Sequence, residues 1–229
     1  DVCSSDLVSV AGRSNKYNNV QIDGAVNNDL FGLAATGAPG GQTESQPISI
    51  DAIQELQLVV APYDVRQGGF SGGGVNAVTR SGSNAIHGTG YYFGRNQSLV
   101  GDSVDHRPFG TFNEKLGGGS IGGPIKQNRA FYFGNFEIDR KQLPSGFSVG
   151  GGDGQDFGRV AEANRILAVL KNKYNYSPGG LGQFIRGIDN NKFFVRGDFN
   201  LNSSNKLTVR HNYIDGSNDI GRQIGRAHV

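Results

Sequence analysis

The densest set of residues with a chemical use is the glycine run Gly68, Gly69, Gly72, Gly73 and Gly74, in APYDVRQGGFSGGG. Backbone amides in such a run can cradle a phosphate. A nucleotide loop also needs a Gly-Lys-Ser/Thr ending and a helix behind it. Here VNAVTR follows, a period-two strand pattern, so the glycines serve positive φ or close backbone approach to another surface. His87, His106 and His211 match no zinc or metalloprotease spacing. The acids at 102–105 and 215–219 lack the repeat of a calcium loop. No Gly-x-Ser-x-Gly elbow or nucleophile–base pair is visible. The chain is therefore not expected to be an enzyme, and no catalytic residue, metal site or cofactor is assigned to it.

The elements that position the glycines come next. In ELQLVV (55–60), Leu56, Leu58 and Val60 alternate with Glu55, Gln57 and Val59, the period of a strand. Pro62 has no N–H for a ladder and ends it. A second strand is expected at 75–79. Upstream, Val20-Gln21-Ile22 reads as a strand running into a turn at Asp23-Gly24, and 27–46 as loop. Ser49 is placed to cap one or two helical turns over 50–54, with Asp51 in the first turn. Together these make a small α+β unit.

Beyond residue 84 the character changes. Five segments carry strand signals: 85–94, 114–123, 129–139, 192–201 and 206–214. The last two alternate cleanly. Phe193, Val195, Phe199, Leu207, Val209 and Tyr213 fall on one face, and Arg196, Asp198, Arg210 and Asn212 on the other. Segments of about ten residues, apolar on one face and polar on the other, are the pattern of a membrane barrel strand. An arginine on the lipid face at mid-membrane costs about 2–4 kcal/mol. The alternation instead turns these charges to the lumen, where Arg–Asp pairing is expected. The connections alternate long (95–113, 140–191) and short (124–128, 202–205), as in barrels with long outer loops and short periplasmic turns. One helix is expected in the longest loop over 157–174, with Val160, Ala163, Leu167, Leu170 and Tyr174 on one face. The fold class that follows is mainly β: a small α+β unit, then five antiparallel transmembrane strands with long extracellular loops.

Composition agrees. With 37 glycines, no tryptophan and 36% apolar residues in 229, a compact α/β enzyme is disfavoured, and a net charge of +2 argues against nucleic-acid binding. The two ends read differently. DVCSSDL (1–7) back-translates to DNA whose reverse complement, one frame along, encodes IGRAHV (224–229). Both are expected to be sequencing-adapter sequence, and 8–223 an internal piece of a longer gene. The single cysteine, Cys3, lies in that end and says nothing of redox compartment.

Three blocks carry a family resemblance: APYDVRQGGFSGGGVNAVTRSGSN, NAVTRSGSNAIHGTGYYFGRN and GGGSIGGPIKQNRAFYFGNFE. The first resembles the plug of TonB-dependent outer-membrane receptors of the Oar-like subgroup, and the resemblance extends over about 19–216. It implies a plug over 8–83, with Asp64, Arg66 and Arg80 as its polar residues, and the first barrel strands over 84–223. It further implies a bacterial outer-membrane location, lipid around a barrel of about 22 strands, and active transport of an unidentified substrate. The energy would come from an inner-membrane TonB-type protein acting on a region outside this sequence. A surface adhesion or assembly role would share every visible feature. A passive porin would share the strands but has no use for the glycine-rich unit before them.

Overall fold

The strands of the computed structural model, which describes residues 17–31, 34, 37–60, 73–101, 111–144, 160–177 and 185–219, form two sheets. The first has the order β2-β1-β4-β3, built from β1 (Asn19–Ile22), β2 (Ala25–Val26), β3 (Ile53–Val60) and β4 (Gly73–Thr79). β1 is parallel to β4, with Val20 beside Val75 and Ile22 beside Ala77. β3 is antiparallel to β4, with Leu56 opposite Ala77 and Leu58 opposite Val75. Residues opposite one another share a face, so these six side chains form one apolar face. Asp23 (φ 47°) and Gly24 (φ 80°) make the two-residue turn between β1 and β2, the left-handed pair that suits a hairpin's twist. The return strand β2 was not expected, because two residues carry no period.

Two local expectations are corrected here. Ser49 is the N-cap of a single 3₁₀ turn, Ile50–Ala52, with Asp51 in that turn as expected, but its side chain makes no capping bond and the chain is already strand at Ile53. Ser49 is extended (φ −65°, ψ 140°), and its hydroxyl bonds elsewhere. Gly73 and Gly74 are the first residues of β4, in register with Val60 and Val59, and not loop. Asp64, Arg66, Gly68, Gly69 and Gly72 lie outside the described residues, as do the two ends, 1–7 and 224–229.

The second sheet follows chain order: β5 (His87–Asn96), β6 (Asn113–Lys126), β7 (Ala130–Pro144), β8 (Ile185–Asn200) and β9 (Lys206–Asn218). β6 and β7 are joined by 127–129, and β8 and β9 by 201–205. Parallel strands need a crossover of about a dozen residues or more, so these two pairs are antiparallel hairpins. The other connections, 97–112 and 145–184, are long. All five strands expected beyond residue 84 are present, and the fold is mainly β. No helix among the described residues is long and apolar enough to cross a membrane.

The chain divides into two compact units. One comprises Asp1–Tyr92, Leu116–Asp139 and Asp189–Gly216. Its core is Ile22, Ile48, Ala52, Ala77, Phe133 and Phe194, with the two rings 6.3 Å apart and tilted by 57°, a favourable aromatic geometry. The first sheet and strands β7 and β8 thus share one apolar core. The other unit comprises Phe93–Lys115, Arg140–Ile188 and Ser217–Val229. There Arg95 grips Glu114 through two bonds of 2.9 and 2.8 Å and stacks on Phe112. The unit also holds α1 (Val160–Tyr174), whose half-buried residues include Val160, Ala163, Leu167 and Leu170, while Tyr174 is exposed. Asn175 ends the helix in the left-handed region, its N–H returning to the Lys171 carbonyl at 3.1 Å.

Candidate functional site

The period of two turns one row of each strand toward the first sheet. On β7 that row is Phe133, Asn135, Glu137 and Asp139, all buried. On β8 it is Lys192, Phe194, Arg196 and Asp198, and on β9 it includes Thr208, Arg210 and Asn212. Two groups of polar contacts grow from these rows.

The first centres on Asp23. The left-handed turn projects its carboxylate beyond β1, where it accepts the Thr79 N–H and hydroxyl, each at 2.7 Å. Arg210 meets the same carboxylate at 2.9 Å, and an Arg196 guanidinium nitrogen lies 3.8 Å away. Arg196 also donates to the Thr79 carbonyl and hydroxyl, both at 2.9 Å. Its other nitrogens bond Asp198 at 2.8 and 3.2 Å. Asp198 is further held by the Thr208 hydroxyl at 2.7 Å and by Lys206 at 3.5 Å. A planar guanidinium forked onto a carboxylate is among the stronger polar contacts available. Nearby, Asn212 donates to the Pro47 carbonyl at 2.7 Å.

The second centres on Glu137. Lys192 meets one oxygen at 2.7 Å, both side chains being under a tenth exposed. The hydroxyls of Ser49 and Tyr91 donate to the other oxygen, each at 2.7 Å. A buried pair in low dielectric survives only when its remaining lone pairs are satisfied, and the two hydroxyls do this. Beside it, Asp51 accepts the Thr89 hydroxyl at 2.6 Å and the Asn135 amide at 3.4 Å. Arg80 lies 4.0 Å from Asp51 and donates to the Ile53 carbonyl at 3.2 Å. Two close backbone approaches complete the seam. A Cβ at Gly216 would collide with Thr43 and Asn190, and one at Gly82 would collide with the carbonyls of Tyr132 and Gly123. The chemistry on offer is adhesion between two surfaces. Among the described residues no group of three or more His, Cys, Asp or Glu is placed to hold a metal ion.

Comparison with known proteins places this geometry. Residues 78–149 match a family described as an outer membrane beta barrel domain. The chain is 32% identical over 138 residues to the TonB-dependent transporter Oar of Myxococcus xanthus, covering 56% of this chain and 12% of that protein. Its fold is similar to that of the siderophore receptor PirA from Acinetobacter baumannii. That match has a TM-score of 0.59 and 15% identity, and covers 92% of this chain and 25% of the receptor. The chain has the fold of an outer-membrane receptor barrel and an outer-membrane location. It spans about an eighth of the curated relative's length, and in it the barrel is not closed.

The structure brings Arg196 and Asp198 of β8 and Arg210 of β9 into one cluster with Asp23 and Thr79, and sets Asn212 beside them. Arg80 belongs with Asp51 instead. Phe193, Val195, Leu207, Val209 and Tyr213 are exposed on the opposite face, and Phe199 is half-buried there. His87 and His211 are exposed and lie on different strands, and His106 falls outside the described residues. Sequence reasoning missed Asp23, Ser49, Tyr91, Glu137 and Lys192 as contact residues, and Phe133 and Phe194 as core. One signal was available: Phe133, Asn135, Glu137 and Asp139 recur at period two inside AFYFGNFEID.

Proposed function

We propose that the chain is the plug and first wall strands of an energy-coupled outer-membrane transporter. In this reading 8–83 is plug, 84–223 is barrel wall, and Arg196, Asp198, Arg210 and Asn212 face the lumen. Phe193, Val195, Phe199, Leu207, Val209 and Tyr213 face lipid. A substrate passes when an inner-membrane partner of TonB type, engaging a region outside this chain, displaces the plug. The observation that carries the proposal is the seam itself. The first sheet meets the wall strands through Asp23 on Arg210 and Arg196, and through Ser49 on Glu137. The likeness to a TonB-dependent transporter supports the coupling. A lumen of about 22 strands is wide enough to pass solutes when nothing fills it, so a part that shuts it and can be shifted is required.

The test is conductance. Deleting 49–80 from the full-length protein should raise single-channel conductance in planar bilayers from near zero to porin-like values, with the intact protein closed in the absence of its partner. Steady conductance by the intact protein would instead mark a passive porin.

A further inference from the structure

Across the seam, charges are balanced in two different ways. At Glu137 the counter-charge is Lys192, on the neighbouring wall strand, and the first sheet's side contributes only the neutral Ser49 hydroxyl. At Asp51 the nearest cation is Arg80, on the same side of the seam, and the wall contributes the neutral groups of Thr89 and Asn135. Each of these charges keeps its partner when the surfaces part. Asp23 differs, because its cations, Arg210 and Arg196, lie across the seam. Arg196 retains Asp198 on its own strand. Arg210 has both of its contacts among the described residues on Asp23, to the carboxylate at 2.9 Å and the carbonyl at 3.5 Å.

We propose that Asp23–Arg210 is an ionic lock on the closed state, whereas the Ser49–Glu137 and Asp51–Thr89 contacts are made by neutral hydroxyls on carboxylates that keep their own cations, and part without stranding a charge. This rests on the plug reading and adds which contact sets the energy of opening and what weakens it. Parting at Ser49 leaves Glu137 with Lys192 and Tyr91. Parting at Asp23 separates opposite charges where water reaches them, since the Arg210 side chain is 29% exposed. The lock is therefore accessible to salt, whose screening length falls from about 10 Å at 0.1 M to about 3 Å at 1 M.

The experiment uses the full-length protein in planar bilayers without its energy-coupling partner, reading the fraction of time open. Arg210→Gln should raise that fraction by on the order of tenfold or more, the factor a charge-assisted hydrogen bond corresponds to. Asp23→Asn should do the same, and the double variant should open no further than Asp23→Asn alone, because both remove one interaction. Salt at about 1 M should bring the unmodified protein toward the Arg210→Gln level and leave Arg210→Gln unchanged. Ser49→Ala also removes a hydrogen bond to a carboxylate and should raise the fraction too, but its effect should not change with salt, because Glu137 keeps its Lys192 partner. Asp23 also takes two bonds from Thr79, so Arg210→Gln, which leaves those intact, is the deciding variant. Insensitivity of the unmodified protein to salt, or additive effects of the two lock variants, would overturn the proposal. The 49–80 deletion measured in the same bilayers separates the two levels. If it stays closed, the plug reading fails; if it conducts while Arg210→Gln stays shut, only the lock fails.

Discussion

At the scale of single residues, the buried pair Lys192–Glu137 carries the greatest risk to the fold. Both side chains are under a tenth exposed, and Glu137 is fully engaged by one ammonium and two hydroxyls. Removing one member of such a pair typically costs about 3–5 kcal/mol, because the other charge stays buried; removing both costs far less. In the full-length protein refolded into lipid, Lys192→Met should lower the urea midpoint strongly. Adding Glu137→Gln to it should recover most of the loss. If the double variant is no better than Lys192→Met, the pair is not the source of the cost. None of this was legible in the sequence. Alternation puts Lys192 on the face of Arg196 and Asp198, but its partner lies 55 residues away and Arg210 lies 187 residues from Asp23. Periodicity reports which face a side chain takes and is silent on what faces it.

At the scale of elements, alternation did most of the work, and it failed in identifiable places. β8 and β9 start or end well beyond the expected 192–201 and 206–214, because Gly187, Asp189 and Asn190 upstream and Asp215 and Gly216 downstream carry no strand propensity. The hydrogen-bonded ladder carries the strand through them regardless. β6 is similar: KLGGGSIGGPIK has too few side chains to show a period, yet it is strand throughout. After Ser49 the expected helical segment shrinks to one 3₁₀ turn, and the hydroxyl that would cap it bonds Glu137 instead. The facing of β8 and β9 can be tested directly. In the full-length protein in membranes, Val195→Cys, Phe199→Cys and Val209→Cys should react with lipid-soluble thiol reagents. Arg196→Cys, Asp198→Cys and Arg210→Cys should react with small water-soluble ones, slowly while the first sheet covers them and faster once 49–80 is deleted. A register slip of one residue exchanges the two sets, so the swapped pattern would refute the assignment.

At the scale of the whole molecule, the question is what these 229 residues do when expressed alone. The five-stranded sheet ends in β5 on one side and β9 on the other, and neither has a further neighbour among the described residues. An open sheet edge is the template on which strands of separate chains pair. The face opposite the first sheet exposes Ile121, Phe136, Ile138, Phe193, Val195, Leu207, Val209 and Tyr213. Soluble monomers rarely carry contiguous apolar patches above a few hundred Å². The core of Ile22, Ile48, Ala52, Ala77, Phe133 and Phe194 offsets little of this, because it buries the inner face and leaves the outer one untouched. In water the chain has two ways to cover that face and those edges: aggregation or a detergent micelle. Purified without detergent it should sediment as polydisperse aggregate and show no cooperative thermal transition. In detergent it should gain β-type circular dichroism while its edges remain open to added strands. A sharp, reversible melt of a detergent-free monomer would mean that these strands close on themselves, and the open-sheet account would then be wrong.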